Sequence, residues 1–383
     1  MSRSRWPLVL LPVMLLAAGT GCAWDTSTDV GPAPSPCGVK IAIFGPLSGE
    51  SADLGRNIHD GADLAVRQYN ATRPDCPVYL SDFDSQADPK RAPAIAQLVV
   101  ADPQIVGVIG PAFSGESQAA SPLLNQAGLA AITASATEAS LSTRGWTTFH
   151  RIVGNDAQQG PAAAEYIGLV LRARKVFVID DTSAYGHGLA ARVIERLGPA
   201  VVQSATVPPQ LREFVDLLAQ IREAQPDAVF FGGYYEQAGV LLAQIRATGV
   251  TATFVAGDGV KDGGFVREAG AAAAEGAVIT CPCRPPETAG GDFARHYRTM
   301  FGRDPGTNSA EAYDAASVFL RGIEAGRLRR SEMAAFVNGY SGPGITSMIR
   351  FTPTGELVDS SVTVWAYRVH NGAIVADQPI SIS

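Results

Sequence analysis

Charge is scarce in this sequence. Only 17% of its 383 residues are Asp, Glu, Lys or Arg, and the basic residues form no run. A nucleic-acid partner needs a basic patch or stripe, so none is expected. Long apolar runs are scarce too. Beyond Pro7–Ala18 no stretch is long enough to span a bilayer. Catalytic signatures are also missing. A nucleophile elbow needs Gly-x-Ser-x-Gly, but two positions before the first serine of "SGES" stand Pro46 in one copy and Ala112 in the other. Of the five histidines, only His187 falls in a glycine-bounded loop after an apolar run. No GxxxxGK[ST] phosphate loop occurs. The glycines of "GDGVKDGG" are too widely spaced for a dinucleotide fingerprint. The cysteines lack the paired CxxC of a zinc knuckle. The expectation is a protein with no catalytic residue, metal or cofactor.

What the chain does hold is apolar residues, 46%, and glycine, 40 in number. That composition buries well and is punctuated by loops, and the length suits two domains. The formal net charge is −7. Arg3 and Arg5 precede the apolar stretch, and small residues follow it, the layout of an export signal over residues 1–21. Cleavage near Ala23 is the plain reading. Gly19-Thr20-Gly21-Cys22 resembles a bacterial lipobox, though with Gly19 where leucine is usual, and assigns Cys22 as the lipid-attachment residue. Residues 22–36 then form a polar, Pro-rich tether.

Four more cysteines in an exported chain suggest disulfides. Cys37 and Cys76 stand just before the apolar runs "VKIAIF" and "VYLSDF". If those are neighbouring parallel strands, a bridge there stabilises by about 4 kcal/mol on a loop-entropy basis. Cys281 and Cys283 either close on each other or stay reduced.

Apolar runs alternate with stretches of helical spacing, first over "KIAIF", "VYLSDFD", "QIVGVIG" and "LAAIT", and again over "KVFVIDD", "AVFFGG", "TFVAGDG" and "GAVITC". Near-continuous apolar strands between helices indicate parallel sheets covered on both faces. Two such series indicate two α/β lobes. The "ASATEASL" segment after the fourth run reads as helical, and the tail reads as strands without an intervening helix. Ligands of open parallel sheets bind at the carboxyl ends of the strands, where every distinctive loop here lies.

The strings "GPLSG", "DPKRAPAIAQLV", "ASATEASLSTRG", "RIVGNDAQQGPAAAEYI", "DDTSAYGHGLA", "PDAVFFGGYYEQAGVLLAQIRATG", "AGDGV" and "AGAAAAEGAVIT" stand in one order. From about residue 38 to the C-terminus the chain resembles the leucine/isoleucine/valine-binding proteins, extracytoplasmic receptors of branched-chain amino acid ABC transporters. The resemblance implies a type I periplasmic-binding fold with three interlobe crossings. One lobe is expected over 37–155 plus 285–360, the other over 156–284 plus 361–383. Ligand sits between them. The resemblance puts the ligand carboxylate on Ser114, contacts to both ligand ends on Ser135 and Thr137, closing tyrosines at Tyr185 and Tyr234, and the α-ammonium on Asp258. Leu54 shapes the side-chain pocket where relatives often carry an aromatic, and Phe113 adds apolar wall. Asp258 stands where the best-known members carry glutamate. Their disulfide positions fall on Ala87 and Phe113, so Cys37–Cys76 substitutes for that bridge.

The chemistry of the residues agrees with this. A zwitterion needs hydroxyl and N–H donors at one end and a carboxylate at the other, with charge-assisted bonds contributing roughly 1.5–3 kcal/mol each. Glu50 and Glu116 are expected to be solvated, and Leu54 to sit in a loop bracketed by Gly49 and Gly55. The reading is a monomeric, lipid-anchored receptor that delivers a small amino acid to an ABC permease. The alternatives are a receptor for an amide, urea or aromatic acid, or a ligand-sensing lobe for a signalling partner.

Overall fold

The computed structural model describes Met1, Ser35 and residues 37–381. The export signal, Cys22 and the tether up to residue 34 therefore lie outside the described residues.

The first sheet holds β1 (Lys40–Gly45), β2 (Tyr79–Asp84), β3 (Ile105–Ile109), β4 (Ala131–Thr133) and β5 (Phe149–Arg151). Its order is β2-β1-β3-β4-β5, parallel throughout. The second takes β6 (Val176–Asp180), β7 (Val201–Thr206), β8 (Ala228–Gly232), β9 (Thr253–Ala256) and β10 (Val278–Cys281) as parallel strands. A hairpin (Val364–His370 and Ala373–Ile380) joins it antiparallel against β10. β3, β6 and β8 are buried at every residue, which is why they read as unbroken apolar runs.

Helices cover both sheets. α1 (Ala52–Ala71), α2 (Ala92–Ala101) and α3 (Ser114–Gln126) follow the first three strands. α4 (Asp156–Glu165), α5 (Ala184–Leu197), α6 (Val215–Ala224), α7 (Tyr235–Ala247), α8 (Gly263–Ala269) and α9 (Ala271–Ala274) serve the second sheet. α10 (Phe293–Phe301), α11 (Ser309–Glu324) and α12 (Arg330–Asn338) return to the first, followed by a small hairpin of β11 (Ser341–Pro343) and β12 (Met348–Arg350). The Val364–His370 and Ala373–Ile380 strands are thus β13 and β14. The chain crosses between lobes after β5, after β10 and before β13, giving three crossings.

Local chemistry explains the close packing. α1 lies against α11 because Gly61 carries no side chain; a Cβ there would stand 2.0 Å from the Ser309 carbonyl oxygen. β1 and β2 pair with Lys40 opposite Tyr79, so Cys37 and Cys76 meet at the strand starts and are joined, Cα atoms 4.4 Å apart. Cys281 and Cys283 are bonded to each other at the second crossing. Two local expectations are corrected. "ASATEASL" is non-helical over its first half and only its end enters a short 3-10 turn, Ala139–Thr143, whose start is capped by the Glu138 side chain at the Ser140 N–H. Leu54 lies in the first turn of α1 and not in a loop. Gly55 is inside that helix, where a Cβ would collide with the Pro46 carbonyl.

Candidate functional site

The carboxyl ends of the two sheets face each other, and the lobes are closed. Phe113 at the start of α3 stacks on Tyr234 at the start of α7, centroids 4.7 Å apart. Ser51 Oγ donates to Glu236 Oε1 at 2.8 Å, and the Tyr235 hydroxyl donates to the Glu50 carbonyl at 2.6 Å. Between the lobes lies a small cavity of about 20 Å3, room for roughly one water molecule. Leu54, Phe113, Ser114, Ser135, Tyr185, Tyr234 and Asp258 all line it. Thr137 does not. It is fully buried beside the cavity, with its hydroxyl making no hydrogen bond to protein. Ile58, Gly259 and Asn308 complete the lining and were not anticipated. In sequence Ile58 is one of several apolar residues at helical spacing, and Asn308 follows no distinctive string.

The two ends of the cavity differ in polarity. At one end α3 begins at Ser114, so unpaired backbone N–H groups and the positive end of the helix dipole point inward. Ser114 Oγ accepts from the Glu138 N–H at 3.2 Å, which leaves its proton free for a cavity acceptor. The Ser135 hydroxyl donates to the Ala112 carbonyl at 2.6 Å. At the other end stands Asp258, in the turn after β9 and 6% exposed. The Tyr185 hydroxyl donates to Asp258 Oδ1 at 2.8 Å and accepts from the Gly259 N–H at 3.0 Å. Glycine is needed on both sides of the aspartate, since a Cβ at Gly257 would lie 2.4 Å from the Tyr185 hydroxyl and one at Gly259 2.8 Å from its ring. Burial pushes the Asp258 carboxyl up to about 6, against the pull of Tyr185. No Lys, Arg or His is among the lining residues.

A second acid stands behind that end, and the sequence reading passed over it. Asp156 opens α4, is 1% exposed, and neither of its carboxylate oxygens has a hydrogen-bond partner in the protein. Its N–H donates to the Thr137 carbonyl at 2.8 Å. Burial raises its carboxyl well above the ordinary value, and the Asp258 charge raises it further. In sequence, Asn155-Asp156 looks like an ordinary helix start, and Asn155 is indeed the cap. Thr137 and Glu138 of the other lobe and Asp258 and Gly188 of its own close around it.

Glu116 also departs from expectation. It is completely buried rather than solvated. Its Oε2 accepts the Phe113 N–H at 3.0 Å and its Oε1 accepts the Ser85 hydroxyl, which closes the first turn of α3 beneath Ser114.

The small pocket between the two α/β lobes is polar at both ends and apolar between, the chemistry of a site for a small solute. Several known proteins are similar to this chain in sequence. The Leu/Ile/Val-binding protein of Citrobacter freundii is 34% identical over 250 residues, 64% of this chain and 67% of the relative. The leucine-, isoleucine-, valine-, threonine- and alanine-binding protein of Pseudomonas aeruginosa is 29% identical over 336 residues, 86% of this chain and 90% of the relative. The fold superimposes on the branched-chain amino acid transporter substrate binding protein LivJ of Streptococcus pneumoniae, solved in complex with isoleucine, with TM-score 0.82 and 25% identity over 89% of this chain and 100% of that one. The sequence model of periplasmic binding proteins matches residues 38–372. The closed two-lobe architecture and these matches agree: the chain belongs to the periplasmic binding protein family, solute-binding receptors of the type I fold and not enzymes.

Proposed function

We propose that the protein captures a small aliphatic amino acid, branched-chain or similar, between its lobes and delivers it to an ABC permease. The observation that carries this reading is the polarity of the cavity. A hydroxyl at a helix N-terminus stands at one end, a buried carboxylate without a basic partner in the lining at the other, and Leu54, Ile58 and Phe113 between. In this reading Ser114 meets the ligand carboxylate, Asp258 with Asp156 behind it meets the ammonium, and Tyr185 and Tyr234 close over the ligand. Residues 37–155 with 285–360 and 156–284 with 361–383 act as the jaws. Ligand stabilises the closed form by its differential affinity for it, and the permease reads that form. The mature chain is held at the outer face of the cytoplasmic membrane through lipid on Cys22.

Calorimetry with L-leucine, L-isoleucine and L-valine tests the reading. Binding is expected for at least one, and Asp258→Ala is expected to weaken it by about a hundredfold, the cost of leaving an ammonium unpaired. The ammonium needs Asp258 ionised, and the group titrates at about 6. Affinity is therefore highest above that pH and falls below it, by up to about tenfold per pH unit. A thermal-shift response to aromatic acids or amides, and to no amino acid, overturns the reading in favour of a receptor for ligands without a cation.

A further inference from the structure

Arg151 has no exposed surface at all. It ends β5, just before the first crossing, and its guanidinium bonds in two directions. On one side Nη1 donates to the carbonyls of Ala136 at 2.8 Å and Glu138 at 3.0 Å. On the other side Nε donates to Glu356 Oε2 at 3.0 Å, and Nη2 donates to Oε1. Glu356 lies in the turn between β12 and β13, on the approach to the third crossing. That turn is fixed against β5 as well: the Arg151 N–H donates to the Gly355 carbonyl at 2.8 Å. Gly355 has φ +80°, and a Cβ there would stand 1.9 Å from the Phe149 carbonyl oxygen.

A buried ion pair is weak evidence for stability, because desolvation offsets much of the attraction. A planar guanidinium does something an apolar side chain cannot. It joins the carbonyls of one loop to the carboxylate of another in a fixed plane. The two carbonyls it holds bracket Thr137. The residue that supplies the second of them, Glu138, also donates its N–H to Ser114 Oγ at 3.2 Å. A hydroxyl oxygen that accepts there turns its own proton away, toward the cavity that Ser114 lines.

We propose that Arg151, anchored by Glu356, is a positioning residue for ligand capture: it fixes residues 136–138 so that the Ser114 hydroxyl is aimed at the ligand's carboxylate. This rests on the amino-acid reading above. Arg151 itself does not reach the cavity; it acts through the loop. The role therefore concerns one end of the ligand only, and a general loss of packing does not have that selectivity.

The test compares L-leucine with L-leucinamide, which keeps the ammonium and side chain but lacks the carboxylate. Both are titrated calorimetrically into the mature protein and its Arg151→Lys and Glu356→Gln variants. Arg151→Lys keeps the charge and loses the fork. It is expected to weaken leucine by about tenfold or more while leaving leucinamide within about threefold, so the preference for the carboxylate shrinks by the difference. Glu356→Gln shifts the ratio in the same direction by a smaller factor. Equal weakening of both ligands, or an unchanged ratio in both variants, overturns the proposal. If Arg151→Lys does not fold, the Glu356→Gln ratio decides alone. Wild-type protein that binds leucine while the ratio stays fixed defeats this inference only. Wild-type protein that binds no amino acid defeats the reading on which it rests, and both fall.

Discussion

The chain writes Ser-Gly-Glu-Ser twice in its first lobe, after strands β1 and β3, and the two copies do different work. In the first, Ser48–Ser51, α1 begins only at Ala52. Ser48 turns back to Asp84, 2.5 Å between oxygens, and Gly49 takes φ +89°. Glu50 reaches Arg212 of the other lobe at 2.8 Å with its side chain 75% exposed, and Ser51 bonds Glu236 across the cleft. In the second, Ser114–Ser117, the helix begins at the first serine. Ser114 faces the cavity, Glu116 is buried beneath it, and Ser117 Oγ donates to the Pro111 carbonyl at 2.9 Å. One extra residue separates the proline from the serine in the second copy, Ala112-Phe113 against Leu47. Relative to the motif the helix starts four residues later in the first copy, at Ala52, than in the second, at Ser114, a shift larger than the one-residue difference in spacing. Helix register, not motif, assigns one copy to holding the lobes together and the other to the cavity.

Substitutions at matched positions can break this comparison. The largest effect is expected at Ser114→Ala, which removes the hydroxyl aimed at a charged ligand group. About 1.5–3 kcal/mol of binding should be lost, roughly ten- to a hundredfold in leucine affinity by calorimetry. A Ser114→Ala protein that binds as wild type ends the distinction. Ser51→Ala comes next. It removes a cross-cleft bond made only in the closed form, and about 0.5–1.5 kcal/mol of closure energy should appear as a loss of affinity up to about tenfold. Glu116 and Glu50 differ in sign with pH. Burial raises the Glu116 carboxyl to about 7, so the fold prefers it protonated. Its favourable contribution is present below the ordinary carboxylate range and is lost as pH rises through 7. Glu116→Gln should therefore gain in thermal midpoint relative to wild type between pH 5 and pH 8, whereas Glu50→Gln should show no such trend. Parallel behaviour of the two variants in a pH series of thermal melts contradicts the assignment. Ser48→Ala should be smallest for binding: leucine affinity unchanged, and at most about 1 kcal/mol of stability lost with the Asp84 bond.

Much of this was legible without coordinates. The two lobes follow from two series of apolar runs, because strands buried on both faces, such as β6 and β8, cannot alternate polar with apolar. Asp258 and Tyr185 were assigned from the resemblance to the leucine/isoleucine/valine-binding proteins, and both line the cavity. Asp156 and Glu116 did not stand out. Each is an acid in the first turn of a helix, the commonest exposed setting for one, and nothing within a few residues distinguishes it from a solvated acid. Asp156 is covered by the opposing lobe and Glu116 by the loop after β2, contacts made at long range. Leu54 lines the cavity from the first turn of α1 and not from a loop, because Gly55 reads as a loop residue until the Pro46 carbonyl is found against it.

The sequence by itself determined what depends on periodicity and on local composition: two parallel α/β layers, loops with hydroxyl and glycine residues at the carboxyl ends of their strands, and the absence of any catalytic string. Tertiary structure alone decided which of those loop residues lose water. Packing of the second lobe sets Asp258 beside Asp156 and the facing loop of the first lobe covers them, while Ser114 falls at a helix start and Ser48 stays on the surface, because burial and helix register are properties of the packed lobes and not of any four residues.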